Sequence, residues 1–226
     1  MENTKPKKNA ASAAPRRDEP DIFRQEKIGW RRFGYLLLRP RIRLMLSWGY
    51  HWRAHGKRNL RGFRHSGMFL YGNRTGTPLD ALVPASLTDK PILVPAPADT
   101  LAAYAPFMRH CAGLPTPETH RDVRLFLERL EKHTVRRGAV AVYAEDTSGD
   151  APYLYPVRFD EPSFVFYTGI RRTAAGERCA VTTVAGPFYP DMTLPHHLQA
   201  HELGERLRAA LRALAAAPEK EAPPRE

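Results

Sequence analysis

The stretch FLYGNRTGTPLDALVP, residues 69–84, places a cation and an acid, Arg74 and Asp80, six residues apart in a loop broken by Gly76 and Pro78. A carboxylate in such a loop can orient a base or accept hydrogen bonds. Arg74 can only donate, because a guanidinium stays protonated at any physiological pH. The pair is therefore suited to an Arg–Asp ion pair, or to an arginine that holds a phosphate. Neither arrangement takes a proton from a hydroxyl. The loop holds no histidine. His51, His55 and His65 lie before it, His110 and His120 lie in the connection to a middle helix, His133 lies on that helix, and His196, His197 and His201 lie near the C-terminus.

The elements that must position this loop alternate along the chain. GMFLYG (67–72) and PILVPA (91–96) are apolar runs of strand length, and 79–87 between them is expected to be helical. Residues 120–136 put Val123, Phe126, Leu127, Leu130 and Thr134 on one helical face, with Gly138 where a C-cap belongs. AVAVYAED (139–146), SFVFYTGI (163–170) and CAVTTVAGPF (179–188) read as three further strands. A last amphipathic helix, 198–216, aligns Leu203, Leu207, Ala210 or Leu211, and Leu214. Strands alternating with helices predict an α/β domain, a mixed sheet flanked by helices.

Charge divides the chain differently. Residues 24–64 contain twelve Lys/Arg and one acid, Glu26, an excess equal to the +11 of the whole chain. A basic excess so localised points to a polyanionic partner. Within it, 27–38 and 41–53 read as two helices broken at Pro40. Their Trp, Tyr and Phe residues and Leu-rich face are bracketed by Arg31, Arg32, Arg39, Arg41 and Arg43, the composition of a helix pair lying in a membrane interface. The bland alternative is a pair of core helices with a solvated basic face. Nucleic acid is the third option, and no helix-turn-helix, RNP or zinc-finger pattern supports it.

The resulting organisation is a disordered basic arm (1–22), an amphipathic interfacial helix pair (23–53), an α/β domain (54–216) and a disordered tail (217–226). The N-terminus is polar without an apolar h-region, so no signal peptide is expected, and no apolar run reaches the roughly 18–20 residues of a spanning helix. Cys111 and Cys179 form neither a disulfide framework nor a CxxC site, which predicts a reducing compartment. AED (144–146) reads as a solvated strand end rather than half of a carboxylate metal site, so no metal is expected.

YGNRTGTPLDA resembles the loop of the glycerolipid (lysophosphatidic acid) acyltransferase family, in its bacterial branch with the longer GNHTxxxxD spacing. Asn73, Thr75 and Asp80 match the pattern. HGKRNL (55–60), PILVPA, GLPTP (113–117), GAVAVYAED (138–146) and VAGPFYPD (184–191) are similar in order and spacing to further segments of that branch, with Ala144 in place of a proline and Glu145 kept. Coverage runs over roughly residues 28–215.

The resemblance implies a glycerol-3-phosphate-acyltransferase-like fold and acyl transfer to a lysophosphatidate-type acceptor. The donor would be a thioester, acyl-CoA or acyl carrier protein, and no cofactor is implied. It places Asn73, Arg74, Thr75 and Glu145 at substrate and Asp80 in the catalytic pair. In the family a histidine is the general base and the aspartate orients it; here the histidine position is Arg74. The acidic loop with Asp146 and Asp150 is also shorter than the branch's phosphate-contacting segment, leaving Arg158 as its nearest cation. Three functions follow as expectations: an acyltransferase of phospholipid synthesis with altered chemistry, a non-catalytic relative that binds lipid or acyl carrier, and a basic nucleic-acid-binding protein. The first two would work peripherally at the cytoplasmic face of the cell membrane, on an anionic surface.

Overall fold

The computed structural model describes residues 28–103, 112–117, 120–144, 161–173 and 176–217. Its elements in order are α1 (Ile28–Tyr50), β1 (Arg53–His55), a 3-10 helix (Lys57–Phe63), β2 (Met68–Asn73), α2 (Leu79–Leu87), β3 (Ile92–Ala96), α3 (Ala98–Ala103), β4 (Ala112–Pro115), α4 (His120–Val135), β5 (Ala139–Ala144), β6 (Ser163–Arg172), β7 (Arg178–Phe188) and α5 (His196–Ala216). The strands form one seven-stranded sheet in the order β1-β7-β6-β2-β5-β3-β4. β2 is parallel to both β5 and β6, β3 is parallel to β4 and β5, and β7 returns antiparallel to β6 with β1 parallel to it. The expected mixed sheet flanked by helices is what forms.

Alternation along β2 builds both layers of the core. Met68 and Leu70 pack with Ile42 and Leu46 of α1 and with Leu79, Leu82 and Val83 of α2. Phe69 and Tyr71 pack on the opposite face with Phe126 and Leu130 of α4 and Leu203 and Leu207 of α5. At the N-terminal ends of the strands the buried Lys90 ammonium donates to the carbonyls of Arg64, Ser66 and Arg137. That satisfies the charge and leaves the C-terminal ends of β2, β3 and β5 as the open edge, the usual ligand edge of such sheets.

The N-terminal helix pair is corrected to one continuous helix, with Pro40 inside it. An internal proline costs about 3 kcal/mol. Full burial of Ile42 and Leu46 just beyond it, at about 1.5–3 kcal/mol each, offsets that. The helix stops at Tyr50 rather than at residue 53, because His51 takes φ 41° and Trp52 turns its indole N–H onto the Thr182 hydroxyl at 2.9 Å. The helix cap expected at Gly138 is at Arg137, which has φ 64°; its N–H reaches the Thr134 carbonyl and the Gly138 N–H reaches that of His133. Gly138 is required for space instead, since a Cβ there would lie 2.2 Å from the His133 ring. On α4 only Phe126, Leu130 and Thr134 of the expected face are buried, whereas Val123 and Leu127 are exposed. The arm at 1–22, the tail after residue 217, Cys111, Glu145, Asp146, Asp150 and Arg158 lie outside the described residues.

Where α1, the 3-10 helix and α2 meet, Arg39 pairs with Asp89 and the Lys57 ammonium donates to the Ser86 carbonyl at 2.5 Å. Partial burial, then the charges of Arg43 and Arg39, push the Lys57 pKa from 10.5 down to about 8. Between about pH 8 and 10.5 the folded chain has released this proton while the unfolded chain still holds it, so this residue makes stability rise with pH across that window. Urea unfolding at several pH values should show wild type gaining stability relative to Lys57→Met across that window; parallel pH profiles would refute the assignment.

Candidate functional site

The loop after β2 is held by its own acid. Asp80 lies in the first turn of α2, and its carboxylate folds back over the loop. Oδ1 accepts the Thr75 N–H at 2.9 Å and the Thr75 hydroxyl at 2.7 Å, and Oδ2 accepts the Gly76 N–H at 3.1 Å. Thr75 and Thr77 hydroxyls share a further bond at 2.8 Å, and the Leu79 N–H donates to Thr77 Oγ1. Gly76 takes φ 65°, which lets the chain turn between these contacts. Burial raises the Asp80 pKa; the bonds from Thr75 and Gly76 and the charge of Arg74 oppose that rise without cancelling it.

Asn73 and Tyr143 fasten this loop to the sheet. Asn73 Nδ2 donates to the Thr168 carbonyl at 3.0 Å and Oδ1 accepts the Thr168 N–H at 2.7 Å, so the side-chain amide extends the β2–β6 ladder by one rung. The Tyr143 hydroxyl donates to the Asp80 backbone carbonyl. Its ring packs edge-on against Phe166 at 5.9 Å, and the Phe166 ring lies so close over Gly72 that a Cβ there would sit 2.2 Å away. These contacts explain Gly72 and Asn73 as positions of folding. Sequence reasoning missed Tyr143, Phe166 and Thr168; the one aromatic in the small-residue run AVAVYA was the available signal.

Arg74 is exposed and lines a small cleft with Asp80, Val94, Ala96, Leu101 and Tyr143. Its volume is about 30 Å³, an order of magnitude below the roughly 300–1,000 Å³ of small-molecule pockets. Thr75 and Asp80 are hydrogen-bonded, Arg74 and Asp80 line the cleft and Asn73 lies beside them, while Glu145 is outside the described residues. Among the described residues no histidine bonds to the Asp80 carboxylate. His133 contacts the carbonyls of Pro91 and Ala139 at the N-terminal ends of β3 and β5, a strand length of roughly 16 Å away. His51 pairs with Glu177 at 3.2 Å. Also among the described residues, no cluster of His, Cys, Asp or Glu could hold a metal ion.

The architecture matches a solved enzyme. The 1-acyl-sn-glycerophosphate (LPA) acyltransferase PlsC from Thermotoga maritima superposes with a TM-score of 0.54 at 13% identity, over 87% of this chain and 88% of that one. This is an acyltransferase fold. No protein-family model and no curated protein sequence matches the chain. Within that acyltransferase fold, the loop geometry leaves an arginine at the cleft and an acid whose oxygens already accept three loop bonds.

Truncating Asn73 to Ala leaves the buried Thr168 N–H and carbonyl without these partners. That should cost about 2–6 kcal/mol in chemical unfolding, at about 1–3 kcal/mol per orphaned buried group. A loss under about 0.5 kcal/mol would mean that the rung is not holding the loop to the sheet.

Proposed function

We propose that this chain is a glycerolipid-acyltransferase-like protein of phospholipid metabolism that engages a lysophosphatidate-type acceptor without general-base catalysis by residue 74. The observation that carries this is the Asp80 clamp. Its carboxylate serves the Thr75 and Gly76 N–H groups and the Thr75 hydroxyl, and the side chain at the family's histidine position is the cation Arg74. A guanidinium in a cleft suits a phosphate or thioester carbonyl and cannot accept a hydroxyl proton. The reading is a lipid- or acyl-carrier-binding relative, with acyl-CoA or acyl carrier protein as the thioester partner.

A second reading has one specific observation in its favour. Asp80 lines the cleft and burial raises its pKa, so Asp80 itself is the only acid of the loop that could take a proton during acyl transfer. One assay separates the two. With lysophosphatidate and acyl-CoA or acyl carrier protein, wild type should show no turnover above background and Arg74→His should gain it, since a general base contributes roughly 10²–10⁴-fold. Wild-type turnover equal to that of Arg74→His would overturn the first reading. If that turnover rose with pH through a limb above the ordinary carboxylate range, the second reading would replace it.

We place the protein peripherally at the cytoplasmic face of the membrane, with α1 as its contact. No helix among the described residues is long and apolar enough to cross a membrane. Leu44, Met45 and Trp48 are exposed on α1, Trp48 at 78%, beside the exposed Arg41 and Arg43. Apolar anchors flanked by arginines suit an anionic interface. Flotation of the full chain with vesicles of phosphatidylcholine and phosphatidylglycerol should drop in the Leu44→Ser/Met45→Ser/Trp48→Ser variant, and unchanged flotation would remove α1 from the interface. These positions lie on the solvent side, so the buried Ile42 and Leu46 stay in place.

A further inference from the structure

The larger cavity lies beside the loop and not at Arg74. It has a volume of about 300 Å³ and is lined by Tyr50, Thr77, Ile170, Arg171, Arg172 and Arg178. The end of α1, the loop after β2 and the turn end of the β6–β7 hairpin meet here. Thr77 is common to this wall and to the clamp, since its hydroxyl bonds that of Thr75, which in turn bonds Asp80.

Arg172 and Arg178 are register partners in the antiparallel β6–β7 pair, and both are exposed. Like charges set opposite each other destabilise a ladder. The neighbouring acid, Glu177, directs its carboxylate to His51 Nε2 at 3.2 Å. Tyr50 and Ile170 complete the walls with apolar surface. Volume, a register pair of arginines in the lining and an apolar wall together suit a small phosphorylated molecule: guanidinium forks fit phosphate oxygens bidentately, and the volume is at the lower end for small ligands.

We propose that this cavity is a phosphate-binding site, formed by Arg172 and Arg178 together with Arg171, that takes a phosphomonoester or the free ion. Only the identity of the larger ligand, a glycerol phosphate ester, rests on the acyltransferase-like reading; the phosphate chemistry stands without it. A bound dianion neutralises the cross-strand repulsion and sits against the Thr77 wall of the clamp.

Calorimetric titration of the full chain with inorganic phosphate, glycerol 3-phosphate, and phosphatidylcholine vesicles with or without phosphatidate tests this, without any acyl donor present. Chloride at matched ionic strength controls for screening. We expect phosphate to bind wild type, and Arg172→Gln/Arg178→Gln to lose about tenfold or more in affinity. Arg124→Gln, whose partner is Glu128 on α4, should bind as wild type does. Tighter binding of glycerol 3-phosphate than of phosphate supports a soluble phosphomonoester, and a response to phosphatidate vesicles alone supports a lipid headgroup at the same arginines. If the double variant does not fold, Arg178→Lys keeps the charge and removes the fork, and should weaken binding while melting near wild type. Phosphate should also raise the wild-type melting temperature more than chloride does. No binding of phosphate, glycerol 3-phosphate or phosphatidate vesicles, or equal binding by wild type and the arginine variants, overturns the site. Acyl transfer is not read in these titrations, so failure here leaves the acyl-transfer result standing, and the reverse also holds.

Discussion

Four consecutive side chains of β2, Met68, Phe69, Leu70 and Tyr71, are excluded from solvent, two on each face of the sheet. A strand of this kind is stable only between strand neighbours and beneath helices on both sides. It also lacks the polar alternation that normally sets register, because a slip of one residue would exchange one apolar pair for another. Register is set at the end of the strand instead. Gly72 is the position where the Phe166 ring can lie against the backbone, and Asn73 matches the Thr168 N–H and carbonyl. The loop therefore leaves the sheet at a fixed point, and α2 begins where Asp80 can fold back on it.

This geometry separates the fold from its chemistry. Asn73, Thr75 and Asp80 each have partners within the scaffold. Their presence is accounted for by folding, whether or not the loop performs acyl transfer. Residue 74 is exposed at the cleft, so packing constrains its side chain less than those of Asn73, Thr75 and Asp80. A guanidinium there can donate hydrogen bonds and cannot accept a proton.

Strands β2, β3 and β5 were legible because fully buried parallel strands are short, continuous apolar runs; β6 and β7 pair antiparallel, and β7 alternates buried with partly exposed positions. Position within the sheet was not legible. Strand β1, of three residues, has no pattern of its own and exists because β7 offers an edge. The single helix across Pro40 was hidden because local stereochemistry argues for a break, while the burial of Ile42 and Leu46 that overrides it is tertiary. At the site, Arg74, Thr75 and Asp80 were readable from spacing within one loop. Tyr143 and Thr168 were not, since they reach it from β5 and β6 across more than sixty residues of chain.

Charge shows the same limit. A window count finds the basic excess of residues 24–64 and returns zero for everything else, so the arginines of the β6–β7 hairpin vanish into a balanced sum. Folding regroups the cations by place. Arg41 and Arg43 lie beside exposed apolar residues on α1, Arg39 and Arg61 surround Lys57 with Asp89 as counter-charge, and Arg171, Arg172 and Arg178 line one cavity. Burial first, and then the charges of Arg43 and Arg39, lower the Lys57 pKa, so packing and neighbouring cations act on it together. The basic excess is therefore a property of the folded surface as much as of the sequence window.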